Sequence, residues 1–152
     1  MARVHRSRWR AVGNHGLVAD PTAGGDRPSA GVLEVAERLF VAIENGDIES
    51  ARALYHPAAE IWHNTDGVVQ GVEQNVATLR WMLANLTAVT YVDVRRSTTS
   101  DGFVQRHVLV ATNRAGQQVQ VAACIVATVR DGLITRLDEY LDSAAVARIL
   151  ER

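Results

Sequence analysis

The chain has 152 residues, 47% hydrophobic and 22% charged, and its 16 basic and 17 acidic side chains leave a formal charge of -1 at pH 7. That is one domain's worth of sequence with an ordinary globular balance, which excludes a mainly disordered or fibrous chain. It also excludes an overall electrostatic footprint for nucleic acid or an anionic membrane.

Residues 1–28 combine Arg3, Arg6, Arg8 and Arg10 with Gly and Pro and lack sustained periodicity. A flexible leader, or an over-long start, is expected there, ahead of a single domain over residues 29–152. No apolar run follows the arginines, so a secretory signal is not expected. No window approaches the ~18 consecutive apolar residues of a membrane span. Cys124 is the single cysteine; with no disulfide or thiolate cluster to form, it reads as a small core residue in a cytoplasmic protein.

From Val32 the pattern becomes helical, with Leu33, Ala36, Leu39, Phe40 and Ile43 on one side and Asn45-Gly46 as the stop. Asp47 is placed to cap a second short helix, IESARALY, ending near His56-Pro57. AEIWHN reads as a short strand with Glu60, Trp62 and Asn64 on one side and Ile61 and His63 on the other. The turn-rich TDGVVQG follows, and then a helix from Val72 to about Leu86 with Val76, Leu79, Met82 or Leu83, and Leu86 on its apolar side. The period then switches to two for VTYVDVRR, FVQRHVLVAT, QQVQVAACIVATV and LITRLDEYLD, divided by turn signals at Ser100-Asp101-Gly102, Asn113 to Gly116 and Asp131-Gly132. SAAVARILER closes the chain as a short helix. Helices first and hairpin-linked strands last indicate an α+β fold, with three N-terminal helices covering one face of a curved sheet and a pocket between the layers.

Alternation selects candidate site residues. In the second long strand Arg106 is the single cation in a row with Val104, Val108 and Val110; in the last, Glu139 is the single anion in a row with Leu133, Leu137 and Leu141. Two isolated opposite charges on apolar faces are explained by each other, because an unpaired buried charge costs several kcal/mol or more. A Glu139–Arg106 pair inside the cavity, direct or through water, is the expectation, either as a structural ion pair or as acid–base machinery. His63 and His107 then face outward or join an oligomer contact. A one-residue slip would instead bury His107 with Asp138 and Tyr140 as the acid–base set. Trp62 reads as a pocket wall or as packing, as does Trp81, and Asn64 as a donor to substrate or as turn chemistry. Histidines at zinc spacing, P-loops and dinucleotide-binding glycines do not occur, so neither metal nor organic cofactor is expected.

Three of these stretches resemble the nuclear-transport-factor-two-like superfamily, which includes ketosteroid isomerases, SnoaL-like polyketide cyclases and limonene-epoxide hydrolases. DGLITRLDEYLD looks like the final strand of the hydrolases, EIWHNTDGVVQG like their short strand and Gly-closed loop, and VQRHVLV like the strand carrying their Arg and Asp. The resemblance covers about residues 32–148 and implies a cone-shaped, cystatin-like roll with a mixed or antiparallel sheet and an internal pocket. It implies Trp62 in place of a pocket tyrosine, Asn64 as the asparagine that helps hold water, Arg106 as the bridging arginine, and Glu139 as the second aspartate of the triad. Leu137 falls where a pocket tryptophan lies, and Val108 occupies the first aspartate's position, which breaks the Asp-Arg-Asp arrangement. Glu139, Arg106 and Asn64 are thus the candidate catalytic residues, and Trp62, Val108 and Leu137 the candidate ligand contacts.

The expected function is that of a small-molecule enzyme with one acid–base carboxylate in an apolar pocket. It would be an isomerase, cyclase or hydratase/hydrolase acting on a hydrophobic oxygenated substrate of steroid, polyketide or terpenoid type. A non-catalytic binder of such a molecule and a dimeric interaction module using the outer sheet face are the alternatives. A homodimer is the expected assembly.

Overall fold

A computed structural model describes residues 28–150. The leader expected over residues 1–28 lies outside it except for Pro28, which begins the first helix. Helix α1 (Pro28–Glu44) buries Ala36, Leu39, Phe40 and Ile43 of the predicted stripe, with Val35 in addition and Leu33 only partly buried. It stops where Gly46 takes a left-handed φ of 71° and Asp47 N–H donates to Ala42 O at 2.8 Å, a Schellman closure. Asp47 then caps α2 (Ile48–Arg52) by accepting from Ser50 N–H at 3.0 Å.

The second helix is shorter than expected, because Tyr55 already belongs to strand β1 (Tyr55–His63), which runs through His56 and Pro57. The turn-rich loop contributes a two-residue strand, β2 (Val69–Gln70). Helix α3 (Val72–Asn85) follows, with Gln74 Oε1 accepting from Gly71 N–H at 3.0 Å at its start. Four long strands complete the sheet: β3 (Thr87–Thr98), β4 (Gly102–Thr112), β5 (Gln118–Arg130) and β6 (Leu133–Leu141). A short helix, α4 (Ser143–Ala147), capped by Asp142, and a 3₁₀ turn at Arg148–Leu150 end the fold.

The strands form one curved, open sheet in the order β2-β1-β6-β5-β4-β3. All neighbours are antiparallel except β1 and β6, which run parallel and set Ile61 beside Leu137, Trp62 beside Asp138 and His63 beside Glu139. The sheet is therefore mixed, and its concave face closes over the helices. One core lies under α1 and α2 around Leu39, Phe40, Ile61, Phe103 and Ile134; a second lies under the C-terminal turn around Leu86, Leu109, Val121 and Ile149.

Bulges decide which side chains look inward. On β3, extra residues fall between Thr87 and Thr90 and between Val92 and Arg95, where Ala88 and Asp93 both have φ of 51°. The second bulge turns Arg96 onto the inner face opposite Gln105 and leaves Arg95 outside opposite Arg106. Glu44, at the end of α1, braces the stretch between the bulges by accepting from Thr90 Oγ1 and Tyr91 N–H. On β6 an extra residue near Thr135 lets Ile134 and Leu137, three apart, both be buried.

No helix among the described residues is long and apolar enough to cross a membrane. One glycine is required by packing: a Cβ on Gly102 would stand 1.8 Å from the carbonyl oxygen of Ala127, and backbone cannot rotate away. Gly102→Ala is expected to cost ~3 kcal/mol, the upper end of overpacking, and to lower Tm by about 6–12 °C in a thermal melt. An unchanged Tm would mean that β4 and β5 approach less closely at this end.

Candidate active site

The inner face of the sheet is read directly from the register. Gln105 on β4 lies opposite Ile125 on β5, which lies opposite Glu139 on β6, which lies beside His63 on β1. Residues directly across from one another share a face, so this row runs along the concave side. It borders a cavity of about 270 Å³ between the two cores. Leu39, Phe40, Ile43, Leu109, Ile125 and Leu137 make its walls apolar, and Thr65, Asp66, Gln70 and the half-exposed Trp81 stand at its rim.

Glu139 lines this cavity, as alternation predicted, but its partner is not Arg106. Glu139 Oε2 lies 3.2 Å from His63 Nε2, with both side chains largely shielded. Arg106 is exposed on the outer face, in the row that joins Arg95, Cys124 and Tyr140. The expected Glu139–Arg106 pair therefore does not form. The reason is local to β4: Phe103, Gln105, His107, Leu109 and Ala111 are its buried face, and the valine row with Arg106 is the outer one.

The other candidates divide in the same way. Leu137 is buried and lines the cavity. Val108 points outward with Arg106. Trp62 also points outward and packs edge-on against Tyr140, ring centroids 5.3 Å apart. Asn64 is not among the residues that line this cavity; it extends the β1–β6 pairing with its side chain, donating to Leu141 O at 3.0 Å and accepting from Leu141 N–H at 2.8 Å, while its own N–H donates to Glu139 O at 3.0 Å. It pins the end of β1 one residue after His63 and so holds the His63–Glu139 geometry. His63 and His107, expected outside, are both inside. Asp138 and Tyr140, the alternative partners of His107, are outside; Asp138 accepts from Arg136, which also reaches Glu60 Oε2 at 2.7 Å.

Of the rest of the polar lining, sequence reasoning offered only His107, through the one-residue slip, and missed Tyr55, Asn75 and Tyr91. Tyr55, Asn75, Tyr91 and His107 join Glu139 and His63 at the cavity. Tyr55 and Tyr91 are driven strongly upward in pKa, first by burial and then by the negative charge of Glu139, so both remain phenols. Burial pulls the pKa of His63 down, but its hydrogen bond to Glu139 and the charges of Glu139 and Asp66 outweigh that and raise it. For His107 burial wins: its pKa is lowered, with Arg96 acting in the same direction and Glu139 against. The cavity thus holds the Glu139 carboxylate, one histidine inclined to be cationic beside it and several neutral hydrogen-bond donors, with a second carboxylate, Asp66, at its rim.

Comparison with known proteins agrees with this architecture. A family model described as a SnoaL-like domain matches residues 36–137. An uncharacterized protein of Mycobacterium tuberculosis is 34% identical over 121 residues, covering 74% of this chain and 91% of that one. Among solved structures, a candidate polyketide cyclase of Xanthomonas campestris superposes with a TM-score of 0.71 at 17% identity, covering 80% of this chain and 98% of that one. An epoxide hydrolase of the limonene-epoxide-hydrolase-like type from M. tuberculosis gives 0.66 at 19% identity, with 80% and 90% covered. At such identities the structural likeness speaks for the fold alone. The family match covers most of the chain, and with it the element order, the cavity and the mixed sheet agree: the chain belongs to the SnoaL-like family of the nuclear-transport-factor-two-like superfamily.

Proposed function

We propose that the chain is a cofactor-independent acid–base enzyme acting on a compact, apolar carbonyl compound, with Glu139 as the proton acceptor. The observation that carries this reading is the Glu139–His63 hydrogen bond in the wall of an otherwise apolar cavity. His63 occupies Oε2, and Oε1 has no partner among the described residues. A carboxylate held by a histidine on one oxygen and open on the other is oriented to take a proton.

In the step this arrangement supports, a C–H bond beside the carbonyl breaks, the proton passes to Glu139, and the electron pair moves onto the carbonyl oxygen. Neutral donors from Tyr55, Tyr91 and Asn75 meet the developing charge. Glu139 then returns its proton to a conjugated carbon, giving an isomer. Alternatively the enolate carbon attacks a second carbonyl of the same molecule, giving a ring, and the proton goes to the new alkoxide. The family and the neighbours described as cyclases, an isomerase and an epoxide hydrolase support small-molecule chemistry of this kind. The cavity lies at or below the lower edge of the ~300–1,000 Å³ of ligand pockets, which favours a compact ring compound over a steroid.

We also infer that the outer sheet face pairs with a second copy of the chain. Val92, Val126 and Tyr140 are 41–50% exposed there. The hollow beside them carries Arg106 together with Asp93 and Asp142, so two copies related by a two-fold can set opposite charges against each other.

Three outcomes are expected. Deuterium exchange from deuterium oxide into the carbon beside the carbonyl of tetralone or decalone, followed by NMR, should be accelerated by the protein and reduced ~10²–10⁴-fold in Glu139→Gln. Equal exchange in both would leave the cavity as a binding pocket only. The charged dyad also has a signature in stability. Because folding raises the pKa of His63 above 6.5, its stabilisation is full below that value and lost as pH rises through the folded pKa. His107, depressed from 6.5, behaves oppositely: its contribution is full above 6.5 and lost as pH falls through its folded pKa. The Tm advantage of the native protein over His63→Gln should therefore shrink as pH is raised from 6.5, and a constant difference would rule out the charged pair. In sedimentation the native protein should run as a dimer and Val126→Asp as a monomer; a monomeric native protein would refute the pairing.

A further inference from the structure

His107 is the buried titratable group that the proton-transfer step above does not use. It is 2% exposed, its ring packs edge-on against Phe40 and Tyr91, and one side of it lines the cavity. Behind it runs a chain of contacts whose direction can be worked out atom by atom. Arg96 Nε stands 2.6 Å from Gln105 Oε1, and Gln105 Nε2 stands 3.0 Å from His107 Nδ1.

A guanidinium has only donors. The oxygen of Gln105 must therefore face Arg96, and its NH₂ must face the imidazole. An NH₂ group can only donate, so His107 Nδ1 must carry a lone pair, which puts the ring's proton on Nε2. A second proton on Nδ1 would oppose N–H to N–H in a buried site. Nε2 itself has no partner among the described residues, and no fully shielded side-chain nitrogen or oxygen there lacks one, so Nε2 opens into the cavity. Gln105 cannot turn over while Arg96 is in place, because turning would set its NH₂ against the guanidinium's N–H. Arg96 cannot readily leave, because α1 holds it through Leu33 O, Glu37 and the face of Phe40. The charged and titratable groups that face His107 are Glu139 on β6 and Arg96 and Tyr91 on β3; its own strand adds only the neutral amide of Gln105.

We propose that Arg96 and Gln105 are positioning residues that hold His107 as a neutral Nε2–H donor, and that this donor receives the carbonyl oxygen of the substrate across the cavity from Glu139. The inference rests on the acid–base reading of the cavity and sharpens its substrate class to a molecule whose carbonyl oxygen, rather than a carboxylate or an amine, is bound deepest. A neutral imidazole suits this position. It gives a hydrogen bond to a growing enolate without surrendering a full proton to it, and it adds no second cation to the one that His63 already sets beside Glu139. The bulge at Asp93 makes the relay possible, since without the extra residue Arg95 rather than Arg96 would meet β4 on the inner face.

The test is a long-range proton–nitrogen NMR correlation of the histidine rings in the full chain at neutral pH. The expected pattern for His107 is a bare Nδ1 and a protonated Nε2. An Nδ1–H tautomer or a doubly protonated ring would overturn the proposal, and neither result depends on turnover. In Gln105→Glu the new carboxylate accepts from Nδ1–H, so the His107 pKa should rise by about 1–3 pH units; an unchanged titration would count against the relay. Should that variant fail to fold, Arg96→Met serves, since it frees the amide to turn and should give a mixture of the two tautomers, whereas a single Nε2–H form would refute the part assigned to Arg96. In the tetralone exchange assay either variant should lower kcat more than it raises KM. If Glu139→Gln leaves exchange unchanged while the Nε2–H tautomer is present, the acid–base function fails and the relay stands; if the tautomer is wrong while Glu139 is essential, the reverse holds.

Discussion

The parallel pairing of β1 with β6 is the constraint on which the site depends. In a parallel pair the residues set side by side share a face, so placing His63 next to Glu139 also turns both toward the helices. Removing a carboxylate from water into this cavity is costly unless something holds its charge, and the imidazole beside it does so. Asn64 then extends the ladder past the last backbone bond, which keeps the end of β1 from fraying away from Glu139.

The interior is zoned electrostatically. At one end the dyad concentrates charge; at the other, burial and Arg96 keep His107 neutral, and Tyr55 and Tyr91 stay protonated under the field of Glu139. The two histidines sit on the same concave face and are driven in opposite directions because one touches the anion and the other is backed by an amide held by a cation. Such separation of titrating groups by environment is how a single fold assigns acid, base and donor roles.

The curvature that makes room for this arrangement comes from irregularities rather than from regular pairing. The bulges on β3 carry left-handed Ala88 and Asp93, residues that rarely accept that conformation, and Glu44 braces the backbone between them. The bulge near Thr135 on β6 reverses the inward face partway along the strand, so that Ile134 fills the core while Glu139, five residues on, still faces the cavity.

Much of the fold was legible in the residues themselves. The apolar stripe of α1, its stop at Asn45-Gly46, the cap at Asp47 and the four period-two strands with their turns are local effects, governed by spacing and backbone preference over a few residues. So was the inward face of Glu139, since Leu137 and Leu141 flank it on the same side. The face of β4 was not. Val104, Val108 and Val110 are as apolar as Phe103, Leu109 and Ala111, and only packing against α1 chooses the row with the larger side chains, which carries Gln105 and His107 inside and leaves Arg106 in water. For β1 a signal did exist, since Tyr55, Ala59 and Ile61 are more consistently apolar than Glu60 and Trp62, and His63 belongs to their side by alternation through Ile61. The sequence by itself determined the two long helices, the four long strands and that one carboxylate would sit on an apolar face, though not the early start of β1 or the short strand β2. Tertiary structure alone decided its partner, because that depends on which strands become neighbours and where bulges shift their register, and neither is encoded within the reach of a single element.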